Sequence, residues 1–237
     1  MIPTKFNHIR ALGALALSLA CAPGGNARQG AESTTVTRAE TASVAAKSAT
    51  PDSNITRADL ARIQGSASAP VWVIEVSDFQ CPFCKQWHDQ TYAALRDQYV
   101  KTGKVRLAYV NFPLGSHVHA WPAAESAMCA AAQGKFWEMH DGLFATQGHW
   151  ESLGSPSAVY DSLAQANGLD MSRWRNCVNS GMMKPLIQAD HDRASKAGVG
   201  ATPSFIIGNK ILAGAQPIEE LRKAIDSAQT AGNKATR

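Results

Sequence analysis

Residues 71–76, Val-Trp-Val-Ile-Glu-Val, form an almost unbroken apolar run, and a Cys81-Pro82-Phe83-Cys84 tetrapeptide follows it closely. No other feature constrains the chain as strongly. A short apolar run bounded by polar residues has the pattern of a central strand. Beyond the cysteines the spacing turns helical: Trp87, Thr91, Leu95 and Tyr99 recur every fourth residue and give one face for a core. Gly103 ends that helix, and Val105 to Val110 reads as a second strand. Strand, helix and strand of this length make a βαβ unit with a parallel pair. The cysteines therefore stand where a strand hands over to a helix.

That position carries chemistry. With Cys81 at the N-cap and Pro82 at the first helical position, backbone N–H groups and the helix dipole favour a thiolate on Cys81. Cys84, one turn inside, is expected to be more buried and to act second. Two other readings stand beside this one. Half a zinc site is disfavoured because no second pair has ligand spacing, Cys129 and Cys177 being isolated. A purely structural disulfide remains open, although a strained short loop at a helix start is a poor place for one. Glu75 is the sole charge in the strand. Buried, it would have a raised pKa and could pass a proton to or from Cys84; at a sheet edge it would simply face solvent. Pro203, after Thr202, leads straight into another strand, where either a cis bond or an ordinary trans turn fits. Asp78-Phe79-Gln80 is read as positioning the motif.

The middle of the chain is helical. Helices are expected over 121–132, over 135–145 with Phe136, His140, Leu143 and Phe144 on one side, and over 156–166 with Ser155 as N-cap. Two more are expected over 171–178, capped by Asp170, and from Pro185 to Gly198. The runs 204–207 and 210–213 flank Gly208-Asn209 as a β-hairpin, and Ile218, Leu221, Ile225 and Ala228 face inward from a last helix. The order βαβ, helical block, ββα implies an α/β architecture, a hydrophobic sheet with helices on its faces.

Lys5, His8 and Arg10 precede an apolar stretch over 11–20, too short for a permanent span, which reads as a signal peptide over 1–20. It ends Leu17-Ser18-Leu19-Ala20-Cys21, similar to a lipoprotein signal but with Ser18 and Leu19 in reversed order. Lipidation of Cys21 and plain cleavage near Ala22 or beyond both stay open. Lipidation would leave four of the five cysteines to pair in an oxidising compartment. Residues 21–54 lack large apolar side chains and read as a flexible tether, with a domain over 55–230 and a disordered tail over 231–237. The formal charge of +4 includes Lys5 and Arg10, and no basic run interleaves with aromatics, so nucleic acid is excluded as a partner. His117 and His119, with His88 or His140, are read as polar loop residues and not as a metal site. Neither a metal nor a cofactor is expected. Trp121, Trp137 and Trp174 are assigned to the core.

The segment from Glu75 to Cys84 resembles the active-site segment of DsbA-like thiol–disulfide oxidoreductases. Residues 198–205, Gly-Val-Gly-Ala-Thr-Pro-Ser-Phe, resemble that family's cis-proline loop, and 133–141 its helical insertion. The resemblance covers about 55–228 and implies a thioredoxin fold interrupted by a helical insertion at about 113–197. It implies Cys81 as nucleophile, Cys84 as its partner and Glu75 as buried acid. It also implies substrate contacts at Pro82, Phe83, Thr202 and a cis Pro203. Cys129 and Cys177 would be either a second, structural disulfide or two inert thiols. The implied activity is oxidation of cysteine pairs in unfolded or partly folded exported proteins by a periplasmic or extracytoplasmic monomer, recycled by a membrane redox partner. A reductase or isomerase kept reduced by a membrane partner is the alternative in the same chemistry, and a non-catalytic binding module the alternative outside it. Phe83 departs from the best-known DsbA proteins, which carry His there, a residue linked to strong oxidising power.

Overall fold

The structure is a computed structural model and describes residues 53–235; the segment expected as a signal peptide, Cys21 and nearly all of the expected tether lie outside the described residues. The element order is α1 Ser53–Ala61, β1 Ile63–Gln64, β2 Val71–Ser77, a helix α2 over 82–100, and β3 Val105–Asn111. Then come α3 Ala120–Ala131, α4 Phe136–Ala145, α5 Gln147–Trp150, α6 Ser157–Ala166, α7 Met171–Ser180 and α8 Lys184–Lys196. The hairpin β4 Ser204–Ile207 and β5 Lys210–Ala213 and the helix α9 Ile218–Ala235 complete the described chain.

The sheet has the order β1-β3-β2-β4-β5. Only β2 and β3 run parallel, paired from Val71 with Val105 to Ser77 with Asn111, and the other neighbours are antiparallel. This is the α/β thioredoxin fold, with a block of helices inserted between β3 and β4. Placing β2 at the centre buries alternate residues Val73, Glu75 and Ser77 completely on one face. One core lies between the sheet, α2 and α9, around Val73, Trp87, Leu95, Leu107, Phe205 and Leu221. A second fills the insertion and reaches Phe79, Cys81, Cys84 and Tyr109. The helical block therefore covers the motif from above.

The period-four face of α2 has a physical explanation. In a regular α-helix a strict four-residue repeat drifts by about 40° per step. Here the helix widens to π turns at His88–Tyr92 and Arg96–Val100. Wider turns absorb the drift, and Trp87, Thr91, Leu95 and Tyr99 all stay buried.

Several boundaries differ from expectation. The described chain has a helix from Ser53 and a two-residue edge strand before β2. Gly65, at φ +101°, makes the turn out of that strand; a Cβ there would stand 2.6 Å from the Val105 carbonyl oxygen. Arg62, nearly buried, pins the segment: it pairs with Asp59 and Asp190 and donates to the Tyr109 carbonyl at 3.1 Å. Asp190 in turn accepts from the Asn111 side chain at 3.0 Å and from Arg193 at 2.8 Å, tying the insertion's last helix to β3. Ser155 does not cap α6, whose N-cap is Pro156; the Ser155 hydroxyl meets that of Ser157 at 3.2 Å instead. Asp170 does cap α7, accepting from the Arg173 N–H at 3.0 Å. The last helix runs to Ala235, into the segment over 231–237 expected as a disordered tail. Gly232 costs a helix only about 1 kcal/mol and does not stop it.

Candidate active site

The turn after β2 is built by one aspartate. Buried Asp78 accepts from the Gln80 N–H at 2.7 Å and the Leu114 N–H at 2.9 Å, and lies 2.7 Å from His117 Nδ1. Its own carbonyl accepts from the Cys81 N–H at 3.1 Å. Gln147 of the insertion is buried against the same turn and donates to the carbonyls of Phe79 and Cys81 at 2.7 and 3.1 Å. Sequence reasoning assigns Asp78 its positioning role and misses Gln147, because nothing near residue 147 in the chain signals a contact with residue 81.

Cys81 is the N-cap of α2, at φ −72° and ψ 124°, with Pro82 opening the helix. Cys81 and Cys84 are both free thiols. Their environments differ. Cys81, at 3% exposure, is the N-cap itself, and Cys84, one turn inside the helix, is wholly buried. The Cys84 thiol, hydrogen-bonded to Cys81, brings the Cys81 pKa down to about 6 against the opposing effect of burial. Thr202 and the backbone N–H groups of Cys84 and Phe83 act in the same direction. Burial pushes the Cys84 thiol well up, and the neighbouring Cys81 adds to the shift. Pro82 and Phe83 sit at the surface, Phe83 with 60% of its area exposed.

Thr202 and Pro203 arrive from the start of β4, joined by a cis peptide bond. The Thr202 carbonyl lies 3.4 Å from Cys81 Sγ, and the Thr202 hydroxyl is buried without a hydrogen-bond partner. The structure thus gathers Cys81, Cys84, Pro82, Phe83, Thr202 and Pro203 at one end of the sheet.

Glu75 lies in β2, two residues before Ser77 on the same face, and is fully buried. The sheet-edge reading does not hold, since β2 is paired on both sides. Neither carboxylate oxygen has a hydrogen-bond partner at ordinary distance. Burial raises the Glu75 pKa to about 8, only partly offset by the Ser77 hydroxyl and His88. Tyr109 faces Glu75 across the parallel pair, and its phenol is likewise buried and unpartnered.

Cys129 and Cys177 join α3 to α7 as a disulfide with Cα atoms 5.8 Å apart. His117 and His119 do not meet the other histidines as ligands: His117 binds Asp78, and His119 Nε2 meets the Leu153 carbonyl at 2.7 Å. His88 and His140 do meet, with Asp141, their donor atoms within 4.8 Å of one another. Of the three tryptophans assigned to the core, Trp174 is buried and Trp121 and Trp137 pack against the insertion core.

The family model described as Thioredoxin matches residues 58–227. The chain is 31% identical over 170 residues to the probable disulfide bond formation protein D of Bacillus anthracis, covering 68% of this chain and 75% of that protein. It is 35% identical over 171 residues to the Na(+)/H(+) antiporter NhaA 3 of Salinispora tropica, covering 72% of this chain but only 25% of the antiporter. The chain therefore spans about a quarter of the length of that relative. Among solved structures, BdbD of Bacillus subtilis superposes with a TM-score of 0.65 at 21% identity, covering 71% of this chain and 92% of that one. The structure of alpha-DsbA1 from Wolbachia pipientis also gives 0.65 at 21% identity, with coverage of 74% and 94%.

Proposed function

This chain belongs to the DsbA-like thiol–disulfide oxidoreductases of the thioredoxin superfamily, and from that premise we propose that it oxidises cysteine pairs in exported proteins through a Cys81–Cys84 disulfide. The observation that carries the reading is the asymmetry of the pair: one thiol at the helix end with its thiolate favoured, its partner wholly buried with its thiol favoured. A substrate thiolate attacks Cys81 Sγ, the Cys81–Cys84 bond breaks, and Cys84 leaves as a thiolate that takes up a proton, with Glu75 as the donor. A second substrate thiolate then attacks the substrate sulfur of the mixed disulfide. The substrate disulfide closes, Cys81 leaves as its stabilised thiolate, and the protein holds the two electrons.

Protein substrates suit the surface around Cys81. Phe83, Val118 and Leu153 are exposed apolar side chains, and the segments carrying Val118 and Leu153 are linked to Gln80. Gln80 accepts from the His119 N–H at 2.6 Å and donates to the Glu151 carbonyl at 3.1 Å. In this reading Thr202 and Pro203 present backbone to the bound segment. The protein works as a monomer outside the cytoplasm, where a membrane redox partner reoxidises it. The signal-like N-terminus and the Cys129–Cys177 disulfide support that compartment. Among the described residues no helix is long and apolar enough to cross a membrane; mass analysis of the mature N-terminus decides whether Cys21 carries lipid.

A second reading, reduction or isomerisation, draws on Phe83, which offers Cys81 a backbone N–H but no charged side chain. The Cys81 pKa is lowered, chiefly by the Cys84 thiol, in the direction shared by the reactive cysteines of thioredoxin and DsbA. Equilibration of the pair in glutathione buffers separates the readings. We expect a potential above the roughly −270 mV of thioredoxin and below the roughly −120 mV of DsbA. A value at or below that of thioredoxin would make the protein a reductant.

A further inference from the structure

We propose that His88 and Asp141 form the proton exit of the buried acid Glu75, so that the proton exchanged with Cys84 passes between Glu75 and solvent through the His88 imidazole. The inference rests on Glu75 serving as the proton partner of Cys84, and extends it to the route by which that acid is recharged.

The placement comes from three elements. Strand β2 holds Glu75 and Ser77 on one buried face, and the β2–β3 register sets Tyr109 beside Glu75. The Tyr109 ring stands edge-on to His140 of α4, ring centres 5.4 Å apart, and His140 packs 5.4 Å from His88 of α2. A continuous set of side chains thus leads from Glu75 to the outer side of α2. Asp141 joins the two histidines, its Oδ1 lying 2.8 Å from His140 Nδ1 and 3.4 Å from His88 Nε2.

The two histidines have different duties. His140 is completely buried among Phe79, Phe136, Trp137 and Phe144, and its Nε2 has no hydrogen-bond partner. Burial pushes its pKa to about 4, so it stays neutral and its Nδ1–H holds Asp141 in place. His88 is the member that reaches water, with 14% of its side chain exposed, and Asp141 beside it has 41% exposed. Although burial opposes it, the carboxylates of Asp141 and Asp89 raise the His88 pKa, which brings a proton carrier to the edge of the buried site.

The neighbours leave little competition for this role. On the sheet side Glu75 has Ser77 on its own strand and Tyr109 on β3 beside it, both buried. On α2 stand Lys85, His88, Asp89, Tyr92 and Arg96. Tyr92 is driven well up by burial, and the Arg96 guanidinium lies 3.7 Å from Asp141. On α4 stand His140 and Asp141. Among these, His88 alone both touches solvent and has an ordinary pKa near neutrality. The balance closes: Glu75 gives its proton to the departing Cys84 thiolate, His88 imidazolium reprotonates Glu75, and solvent reprotonates His88. Reoxidation runs the same transfers backwards.

The test is a single-turnover reaction of the reduced protein with oxidised glutathione, in EDTA, acid-quenched and read by mass. It follows the mixed disulfide on Cys81 and its conversion to Cys81–Cys84, the step in which Cys84 must lose a proton. His88→Ala and His88→Gln should slow that conversion by about tenfold or more near pH 7, since a positioned acid or base contributes on the order of 10²–10⁴. Imidazole added to the buffer should restore the rate of His88→Ala, and Asp141→Asn should shift the pH profile downward. Wild-type rates in both His88 variants, with Glu75→Gln slow, would overturn the exit and leave the Glu75 reading standing. A wild-type rate in Glu75→Gln would remove that reading itself. A slow His88→Ala without imidazole rescue beside a normal His88→Gln would reduce His88 to packing and sink the proposal.

Discussion

The described chain carries two cysteine pairs, one bonded and one free, set in opposite surroundings. Cys129 and Cys177 stand 48 residues apart in sequence, bonded between two helices in a core of alanines, Met128 and Trp174. Cys81 and Cys84 stand three residues apart at a helix start, free, among backbone N–H groups, the Thr202 carbonyl and a buried acid. The first pair is bonded and packed in an apolar core, which makes it inert. The second has several groups that stabilise the thiolate on one sulfur and burial that opposes it on the other. Reactivity here is a property of the surround and of the difference between two partners, not of a cysteine pair as such.

The largest effects should separate the two pairs by function and stability. Cys81→Ser should abolish thiol exchange with a reduced peptide substrate while leaving the melting temperature close to that of the wild type. Undiminished turnover in that variant would end the catalytic assignment. The double variant Cys129→Ala/Cys177→Ala should do the reverse. It should keep the potential of the active-site pair and lose roughly 4 kcal/mol of stability in urea, as chain entropy predicts for a loop of this length. A shifted potential in the double variant would mean that the insertion's disulfide reaches the active site, and the contrast would fail.

The acid beneath one pair offers a subtler division. Burial lifts the Glu75 pKa from 4.5 to about 8, so the folded state holds its proton more tightly than the unfolded chain does. Stability from that difference is complete below about pH 4.5 and is lost as pH rises towards about 8. Glu75→Gln should therefore gain stability relative to wild type between about pH 5 and about pH 8, by on the order of a few kcal/mol. Urea midpoints measured across that range check it; parallel curves for the two proteins would mean that Glu75 does not titrate as a buried acid.

What could be read from the chain divides along the same line. The strand, the Cys-x-x-Cys at its end, the parallel pair and the Gly208-Asn209 hairpin were legible because each depends on residues close in sequence. Glu75 was legible as a charge in an apolar run, although only the pairing of β2 on both sides decides its burial. Gln147 and the Arg62–Asp190 pair were not, and neither was the contact of Asp141 with His88, since each joins residues 53 or more apart and nothing local marks it. The widened turns of α2 were half legible. The four-residue repeat was visible, but a regular helix would not have kept all four side chains buried.

The smallest expected effect concerns Phe83, and it sharpens the contrast most finely because it alters only the charge near Cys81. Phe83 is largely exposed, so replacing it costs little packing. Phe83→His would set an ionisable ring in the first turn of α2, and its protonated form would favour the Cys81 thiolate. A lower Cys81 pKa stabilises the reduced protein and makes the disulfide a stronger oxidant. A tenfold gain in that equilibrium corresponds to about 30 mV, and we expect a rise of that order in glutathione buffers, with the Cys81 titration moving down in parallel. Phe83→Ala is the necessary companion. If alanine raises the potential as much as histidine does, the loss of the phenyl ring is responsible and the added charge is not. If only histidine moves it, electrostatics at this position sets the strength of oxidation while the rest of the site fixes the chemistry.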